Sequence, residues 1–389
     1  MKKKIAILGS TGSIGKNLLN IIKKNQNFFD VNLLSANRNY KKVLNQAIKF
    51  DVKNIIIHDI KTFNYSKKFF LQKKINIFNT VQEYKIKNKF KFDYTMVGII
   101  GFFGLKPTLD IIEITKKIAI ANKESIICGW NLIQKKLKKS NTKFLPIDSE
   151  HFSIDELIKN KDKDYIEKIY LTASGGPFLN KKLSAFKKIK VKEAIKHPTW
   201  QMGEKISIDS ATLVNKVYEI IEAKKIFNVD YSKLDILIQP TSYIHSIVKF
   251  YGGTIHYLAH NPSMTIPIFN SLIENSRLKK KLTSNINYDL LNNLEIKEVP
   301  FKKFPIKKIL KTLPKKDSLF ETVLVSANDT LVQLYLSNKI KFNQIHLILY
   351  KVLTLKKFNV YKKKTPKNIR EIAKLYEYVR LKTESLSVV

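Results

Sequence analysis

The sequence predicts an α/β protein with a doubly wound N-terminal domain, an α+β middle domain and a C-terminal α-helical domain. Three observations lead to this prediction. Apolar runs alternate with segments of helical periodicity in the N-terminal part, a glycine-rich turn follows the first apolar run, and helical periodicity dominates the C-terminal part. At about 150 residues per domain, the chain of 389 residues is long enough for two or three domains with buried cores.

The N-terminal elements follow from the positions of the apolar residues. A buried parallel strand is predicted at 5–8, a glycine-rich turn at 9–15, and then a helix whose apolar residues recur from Leu18 to Ile22. Further strands are predicted at 31–35, 54–57, 96–100 and 118–121, and further helices at 41–50 and from Pro107. This alternation predicts a Rossmann-like parallel sheet over residues 1–147.

The pattern changes from about Asp148. Strands are predicted at 170–174 and 236–238, and a hairpin at 246–250 and 254–258 turns around Gly252 and Gly253. Three helices are predicted at 318–337, 342–355 and 369–382, whereas 275–314 is rich in lysine and asparagine and has weak periodicity. The predicted division is therefore 1–147, 148–274, a linker at 275–314, and 315–389.

The charge of the chain is strongly positive. Lysine and arginine number 71 against 32 aspartates and glutamates, a formal net charge of +39. Such a charge is typical of proteins that bind nucleic acids or membrane surfaces. However, only four of the 71 basic residues are arginines, whose planar guanidinium suits phosphates and guanine edges best. We therefore interpret the lysines as solvated surface and expect no nucleic-acid partner, with a basic binding patch as the alternative.

The single cysteine and the apolar stretches limit where the protein works. Cys128 is the only cysteine, which excludes an intramolecular disulfide and any multi-cysteine metal site. The uncharged stretch 94–105 is too short to span a bilayer. The apolar run after Met1 ends at the glycine turn, too early for a signal peptide. We therefore expect a cytoplasmic protein that does not associate with membranes.

The turn at 9–15 has the spacing GxxGxxG between a predicted strand and a predicted helix. Glycines allow the backbone to approach a pyrophosphate, and a helix N-terminus offers free N–H groups. An NAD site usually has an acidic residue at the end of the second strand, but this chain has Asn37-Arg38-Asn39 there. Arg38 is placed to bind a 2′-phosphate, which predicts NADPH over NADH. The alternative is an exposed surface arginine.

Two short stretches, 146–156 and 197–222, carry four acidic residues each and together only two lysines. Asp148 and Glu150 follow a predicted strand end, and residues two apart in an extended chain point to the same side. Carboxylates that converge repel each other unless a cation or proton lies between them. With Glu219 as a third oxygen ligand and no cysteine nearby, the set suits Mg²⁺ or Mn²⁺ better than zinc. The alternative is an ordinary acidic surface loop.

The second acidic stretch also predicts a helix start. Asp209 or Ser210 is able to cap a helix that continues through Ala223. Asn215 and Glu219 are four residues apart and would share one face of this helix.

The same region contains groups suited to a phosphate. Ser210 at a helix N-terminus, together with Asn215 and Lys216, would form a phosphate cradle beside a metal ligand. Ser174 adds a hydroxyl next to Gly175 and Gly176. Nearby, Trp200 and Met202 lie in a loop bounded by proline and glycine, which indicates a lid; core packing is the alternative.

Taken together, these motifs resemble the 1-deoxy-D-xylulose 5-phosphate reductoisomerase family. The order and spacing of five motifs agree over nearly the whole chain. They are 9–15, 121–125, 146–151, 171–178 and 197–222, with 326–329 in the last domain as a further match. The resemblance implies an NADPH-dependent and metal-dependent enzyme of isoprenoid precursor synthesis, and a homodimer of three-domain chains.

Residue roles are implied by the same resemblance. The metal ligands would be Asp148, Glu150 and Glu219. The catalytic residues would be Lys123, Asp148 and Glu150. The substrate-binding residues would be Lys123, Ser149, Glu150, Ser174, His197, Ser210, Asn215, Lys216 and Glu219. The NADPH-binding residues would be Thr11, Gly12, Ser13, Ile14, Asn37, Arg38, Asn39, Asn122, Glu124 and Gly203. The lid would contain Trp200 and Met202.

Some positions depart from the family pattern. The departures include Gln239 in place of a histidine, Ser263 and Thr265 in a proline-bounded motif, and the bulky Phe102 and Phe103 in place of small residues. None removes an implied metal or phosphate ligand, so they bear on packing and efficiency. A semialdehyde-type dehydrogenase, a charge-driven nucleic-acid binder and a non-catalytic relic are the competing interpretations. The first needs a reactive cysteine, and Cys128 lies in an apolar helical stretch without a histidine nearby.

Overall fold

The computed structural model describes residues 1–88, 90–200, 202–273 and 286–387. The strands are β1 (Lys3–Leu8), β2 (Phe29–Ala36), β3 (Asn54–Ile57), β4 (Asn76–Phe78), β5 (Tyr94–Val97), β6 (Lys117–Ile120), β7 (Lys143–Leu145), β8 (Ile166–Ala173), β9 (Leu234–Ile238), β10 (Ile244–Phe250), β11 (Ile255–Ala259) and β12 (Lys297–Glu298).

The α-helices follow in the same numbering. They are α1 (Ser13–Lys23), α2 (Tyr40–Lys49), α3 (Ile60–Leu71), α4 (Val81–Lys87), α5 (Leu105–Ile112), α6 (Lys123–Ser140), α7 (Ser149–Ile158), α8 (Val191–Ala194), α9 (Glu204–Ala211), α10 (Val214–Phe227), α11 (Thr265–Leu272), α12 (Tyr288–Asn292), α13 (Ile306–Leu310), α14 (Phe320–Leu336), α15 (Phe342–Leu353) and α16 (Ile369–Ser387). Short 3₁₀ segments lie at Phe102–Gly104, Lys163–Tyr165, Gly176–Phe178, Leu183–Lys188, Tyr231–Lys233 and Lys356–Lys363.

The chain folds into two compact units. Unit 1 contains Met1–Ile126, Trp130–Asp148 and, of the described residues, 264–273. Unit 2 contains Ile127–Gly129, Ser149–Ser263 and the described residues from 286 onwards.

Unit 1 is a seven-stranded parallel sheet in the order β4-β3-β2-β1-β5-β6-β7. The residues of Ile5–Leu8 are fully buried, as expected for a parallel strand covered on both faces. Every strand predicted in this region is present, with small shifts of its ends, and the doubly wound prediction is confirmed. The short strand β4 was not predicted, and of β7 only a strand end before Asp148 was, because three residues carry too little periodicity.

The helices of unit 1 begin at the carboxyl edge of this sheet. Asn39, Asp59 and Asn122 each follow a strand and cap the next helix, accepting a hydrogen bond from the N–H three residues further on. Because these caps fix where α2, α3 and α6 start, the loops at this edge have defined positions. This is the edge at which doubly wound sheets bind their ligands.

Unit 2 contains a mixed sheet and a group of helices. The sheet order is β11-β10-β8-β9-β12, in which β8 and β9 are parallel and the other neighbours are antiparallel. The predicted hairpin is confirmed as β10 and β11. Helices α7 and α10 pack on the sheet, and α14 packs against both α15 and α16, as predicted for a helical C-terminal region.

The predicted division into domains stays a prediction and differs from the two units. The greater part of the predicted middle domain and the predicted C-terminal domain fall within one unit, unit 2. Helix α11 packs on α1 in unit 1, although it falls within the predicted middle domain. Residues 275–285 of the predicted linker lie outside the described residues. The remainder, 286–314, contains α12, β12 and α13. In α13, Ile306 and Ile309 are buried while the lysines between them are not, and this lysine content weakened the periodic signal.

Candidate active site

The glycine-rich turn after β1 requires glycine at two positions. Gly9 has φ +82°, and a Cβ there would lie 2.7 Å from the carbonyl oxygen of Gly98. A Cβ on Gly15 would lie 2.5 Å from the Cα of Ser10. Gly12, which has no side chain, is the N-cap of α1. Residues 11–14 therefore present the first N–H groups of a helix at a backbone that a ligand can approach closely.

Residues 37–39 follow β2 and are exposed at the same sheet edge. The guanidinium Nε of Arg38 donates to Asp59 Oδ1 at 3.1 Å. Thr62 donates both its N–H and its hydroxyl to Asp59, and these bonds, with a smaller effect of Arg38, lower the pKa of the Asp59 carboxyl. Asp59 thus orients the Arg38 side chain through a hydrogen bond to its Nε atom. This partner was not predicted, although Asp59 follows β3 and so lies at the same edge.

The start of α6 brings together three predicted residues. The Asn122 amide donates to the carbonyl oxygens of Ile99 and Gly101 and so fixes the loop after β5. Lys123 forms an ion pair with Asp148, both within unit 1. Glu124 is buried in the first turn of α6, where the helix dipole stabilises a negative charge.

Two predicted metal ligands meet in unit 2. A carboxylate oxygen of Glu150 and one of Glu219 lie within 4.8 Å of each other. The ammonium of Lys216 lies 2.7 Å from Glu150 Oε1, forms an ion pair with Glu219, and donates to the Thr172 carbonyl oxygen at 2.6 Å. Burial alone would lower the pKa of Lys216, but the two carboxylates outweigh burial and raise it. Carboxylate oxygens at this separation are the donors that Mg²⁺ and Mn²⁺ prefer.

The predicted extended geometry of Asp148 and Glu150 is wrong. Helix α7 begins at Ser149, so Glu150 lies in its first turn and the chain there is helical rather than extended. The buried side chains of His151, Phe152 and Ile154 drive the helix, and the prediction overlooked them. Asp148 is the residue immediately before α7.

Neighbouring side chains hold the two carboxylate residues in place. The Ser149 hydroxyl donates to Glu150 Oε2 at 2.7 Å, and the Ser246 hydroxyl donates to the Glu150 carbonyl oxygen at 2.9 Å. The Nε2 atom of buried His151 lies 3.0 Å from the Glu219 carbonyl oxygen. No role was predicted for His151 or Ser246.

His197 and Ser174 form a polar pair in unit 2. The Nδ1 atom of His197 accepts hydrogen bonds from the backbone N–H groups of Thr199 and Trp200. Its Nε2 atom, 3.1 Å from the Ser174 hydroxyl, therefore carries the proton of the neutral ring. Burial, with a smaller effect of the Lys216 charge, lowers the pKa of His197 to about 4. His197 is thus a neutral hydrogen-bond donor at neutral pH.

A close backbone contact brings Ser174 and Ser210 to the same place. Gly176 has φ +66°, and a Cβ there would lie 3.1 Å from both the Ser210 carbonyl oxygen and the Ala211 Cα. The turn that carries Ser174 therefore packs directly on the last turn of α9. This contact explains why a glycine follows Ser174 at this spacing.

The predicted helix start at Asp209 or Ser210 is also wrong. Both residues lie in the last turn of α9, and a new helix, α10, begins at Val214 after Leu213 adopts φ +57°. The Thr212 hydroxyl bonds back to the Ile208 carbonyl oxygen, which helps to end α9. Asn215 is in the first turn of α10, so the free helix N-terminus belongs to α10. Asn215 and Glu219 share one face of α10 as predicted, and the Asn215 amide donates to Glu219 Oε1 at 2.5 Å.

The break between α9 and α10 is held by a buried histidine, which gives a pH prediction. His346 Nε2 donates to the Thr212 carbonyl oxygen at 2.8 Å, and burial lowers the pKa of His346 from 6.5 to about 4. The unfolded chain binds this proton at a higher pH than the folded chain does. The free energy of unfolding is therefore expected to fall as the pH decreases from 6.5 towards about 4.

Urea titrations over this range check the prediction. His346→Gln is expected to flatten the pH dependence, and His256→Gln, a change on β11, serves as the control. Equal slopes for the wild type and His346→Gln would contradict the role assigned to His346.

A polar network anchors α9 within unit 2. Lys205 Nζ lies 3.1 Å from Asp209 Oδ2 and 2.9 Å from Asp329 Oδ1, and the Asn328 amide donates to Asp209 Oδ1 at 2.7 Å. The motif 326–329 thus fixes the helix that carries Ser210. Because α14 lies far away in the chain, local sequence gave no signal for this contact.

The predicted lid residues lie just before α9. Trp200 and Met202 are half-buried, and Gly203 is the N-cap of α9. The Trp200 ring meets the His245 ring edge-on, with centroids 6.1 Å apart.

Gln239, one of the departures from the family pattern, is buried, and its side-chain oxygen accepts a hydrogen bond from the Tyr243 N–H. Cys128 is buried, which does not suit the nucleophile of a semialdehyde-type dehydrogenase.

Comparison with known proteins identifies the family. Family models match three stretches: 1-deoxy-D-xylulose 5-phosphate reductoisomerase at residues 5–129, its C-terminal domain at 144–227, and DXP reductoisomerase C-terminal domain at 260–382. The 1-deoxy-D-xylulose 5-phosphate reductoisomerase of Pelagibacter ubique is 56% identical over 388 residues, which is 99% of this chain and 100% of that protein. The chain belongs to the 1-deoxy-D-xylulose 5-phosphate reductoisomerase family. The Clostridium beijerinckii reductoisomerase is 35% identical over 97% of this chain and 98% of its own.

Solved structures of reductoisomerases align with this chain over nearly its whole length. The Zymomonas mobilis enzyme in complex with NADPH aligns with a TM-score of 0.86 at 30% identity, covering 100% of this chain and 99% of that one. A reductoisomerase in complex with NADPH, fosmidomycin and magnesium aligns with a TM-score of 0.89 at 28% identity, covering 99% and 98%. Within the described residues of this reductoisomerase-family chain, no helix has the length and apolar character needed to cross a bilayer.

Proposed function

We propose that this chain catalyses the NADPH- and divalent-metal-dependent rearrangement and reduction of 1-deoxy-D-xylulose 5-phosphate to 2-C-methyl-D-erythritol 4-phosphate, a step in non-mevalonate isoprenoid synthesis. The observation that carries the proposal is the meeting of Glu150 and Glu219 around Lys216 in unit 2. The family supports the reaction, and reductoisomerases with bound NADPH and magnesium support the cofactors.

The proposed metal ligands are Asp148, Glu150 and Glu219, with Mg²⁺ or Mn²⁺ as the ion. Glu150 and Glu219 already present oxygens to one point, and Asp148 is joined to Glu150 through a single residue. The ion, when bound, would act as a Lewis acid for the carbonyl and neighbouring hydroxyl oxygens of the substrate. Lys123, which is paired with Asp148, and Ser149, which is bonded to Glu150, would contact the sugar.

The proposed phosphate site is built on unit 2. The Ser174 and Ser210 turns are in contact, and neutral His197 points its Nε2–H at Ser174. Asn215 and Lys216 would complete the site from the first turn of α10. These contacts would use binding energy from the phosphate, the unreactive end of the substrate, to orient the reacting end. Closure of the loop at Trp200 and Met202 would exclude water from the site.

The proposed reaction changes the carbon skeleton before it is reduced. Retro-aldol and aldol steps convert the ketose phosphate to a branched aldehyde. NADPH, when bound, supplies the hydride that converts this aldehyde to the alcohol. Lys123, Asp148 and Glu150 would orient the hydroxyl groups from which protons leave.

NADPH is proposed to bind along the carboxyl edge of unit 1. The contacts would come from the glycine turn, the end of β2, the start of α6 and the N-cap of α9. The residues are Thr11, Gly12, Ser13, Ile14, Asn37, Arg38, Asn39, Asn122, Glu124 and Gly203.

Replacing Arg38 tests the cofactor preference. Arg38→Ala is expected to reduce the preference for NADPH over NADH about tenfold, because one charge-assisted contact to the 2′-phosphate is lost. The measurement is kcat/KM for both cofactors. Arg370→Ala, a change at an exposed arginine of unit 2, is the control. An unchanged preference in Arg38→Ala would show that Arg38 is a surface residue only.

The state and location of the protein are also proposals. The family resemblance favours a homodimer in the cytoplasm, and light scattering on purified protein measures the oligomeric state directly.

Product identification tests the proposed reaction. The purified protein, incubated with 1-deoxy-D-xylulose 5-phosphate, NADPH and Mg²⁺, is expected to yield 2-C-methyl-D-erythritol 4-phosphate by NMR. Formation of a straight-chain reduced sugar phosphate, or recovery of the unchanged substrate from folded protein, would refute it.

A further inference from the structure

The loop from Gly98 to Gly104 joins β5 to α5 at the carboxyl edge of the unit 1 sheet. Two of its apolar side chains are largely exposed, Ile100 at 72% and Phe103 at 79%, whereas Phe102 is buried. The exposed Phe103 ring offers apolar surface that a bound ligand could remove from water.

The loop that carries Phe103 is held in one conformation. The Gly98 N–H donates to the Leu8 carbonyl oxygen at 2.8 Å, and the Asn122 amide donates to the carbonyl oxygens of Ile99 and Gly101. A Cβ on Gly104 would lie 2.6 Å from the Asn122 amide nitrogen, so the loop packs tightly on that side chain. These contacts hold the loop backbone in the position that leaves the Phe103 ring exposed to solvent.

The strand order tells which half of a dinucleotide would lie nearest to this loop. The order reverses at β1, which has β2 on one side and β5 on the other. A pyrophosphate at the N-terminus of α1 lies over this switch point. Arg38 follows β2, so the ribose with the 2′-phosphate belongs on the β2 side. The nicotinamide half then extends towards β5, where Phe103 stands.

We propose that Phe103 packs against the dihydronicotinamide half of NADPH and is a cofactor-positioning residue of this chain. The inference rests on the proposed function, because it assumes the NADPH site. An aromatic ring offers a flat apolar face to the dihydropyridine ring and removes its own exposed surface from water when the cofactor binds.

Calorimetric binding of two probes tests the inference without measuring turnover. The probes are NADPH and 2′-phospho-ADP-ribose, which has the adenosine half and the pyrophosphate but no nicotinamide. Phe103→Ala is expected to weaken NADPH binding about tenfold and to leave binding of the fragment unchanged. Phe103→Tyr is expected to retain wild-type affinity. Phe28→Ala, at another exposed phenylalanine of unit 1, is the matched control.

Each remaining outcome overturns a different statement. Equal NADPH affinity in the wild type and Phe103→Ala overturns the role of Phe103. If Phe103→Ala changes only the oligomeric state, the ring belongs to an interface between copies of the chain. An equal loss for both probes places the ring on the adenosine half or shows that the loop is disturbed. If the wild type binds neither probe, the proposed function itself fails, and that result is distinguishable from the others.

Discussion

Glu219→Gln is expected to lower turnover of 1-deoxy-D-xylulose 5-phosphate about a thousandfold, equivalent to ~4 kcal/mol of transition-state stabilisation. Glu219 is almost fully buried and shares Lys216 with Glu150. The neutral amide keeps the shape of the side chain but removes one of the negative charges that would hold a divalent cation. Steady-state rates at saturating Mg²⁺, with Mn²⁺ binding followed separately by electron paramagnetic resonance, measure both effects.

Glu156→Gln provides the matched control for this change. Glu156 lies on α7, as does Glu150, but its carboxylate is exposed and contacts Lys159. Its rate and Mn²⁺ affinity are expected to equal those of the wild type. If Glu219→Gln folds normally by circular dichroism and binds Mn²⁺ as tightly as the wild type, Glu219 is not a metal ligand.

Lys225→Met is expected to lower the free energy of unfolding by about 3–5 kcal/mol. Lys225 is buried on α10, and its ammonium lies 2.9 Å from Asp317 Oδ1 and 3.2 Å from Glu321 Oε1. Removing the ammonium leaves Glu321 buried without its cation, although Ser318 still donates to it. Urea unfolding at neutral pH gives the difference.

The pH dependence of the Lys225 contribution has a defined sign. Burial alone would lower the pKa of Lys225, but the two carboxylates outweigh burial and raise it above 10.5. The stabilisation is therefore complete below pH 10.5 and is lost as the pH rises further. Lys53→Met, at an exposed pair with Asp51, is expected to change the unfolding midpoint little. A loss in Lys225→Met no larger than in Lys53→Met would contradict the account.

The sheet of unit 1 was predictable because its signal is local. Parallel strands buried on both faces are short apolar runs, and glycines with positive φ or close backbone contacts mark the turn after β1. The family motifs then supplied residues that periodicity does not reveal, such as Asn122 and Glu219. Both lie where the structure gives them partners.

The errors arose where contacts between distant residues decide the local structure. Helix α7 is stabilised by apolar side chains that pack on β10, so the extended chain assumed for Glu150 does not form. The break at Leu213 depends on His346, which is more than a hundred residues away in the chain and bonds Thr212. No local pattern encodes such a partner. Ser210 was therefore predicted to cap the start of a helix, whereas it lies in the last turn of α9.

The large positive charge has little bearing on the chemistry of the site. Most lysines lie on the surface, whereas Lys216 and Lys225 are buried between carboxylates. The acid-rich stretches are the ones that fold into α7, α9 and α10. The excess charge is able to attract a phosphorylated sugar and NADPH over a distance, but the buried ion pairs define the site.

The most direct test of the central claim is the rate of NADPH oxidation by the wild-type protein with 1-deoxy-D-xylulose 5-phosphate as Mg²⁺ is titrated into metal-free enzyme. The account predicts no oxidation without the metal and a saturable increase with it, which Glu219→Gln abolishes and Glu156→Gln retains. Oxidation at the same rate in the presence of a chelator, or none from folded protein at saturating Mg²⁺, would contradict it.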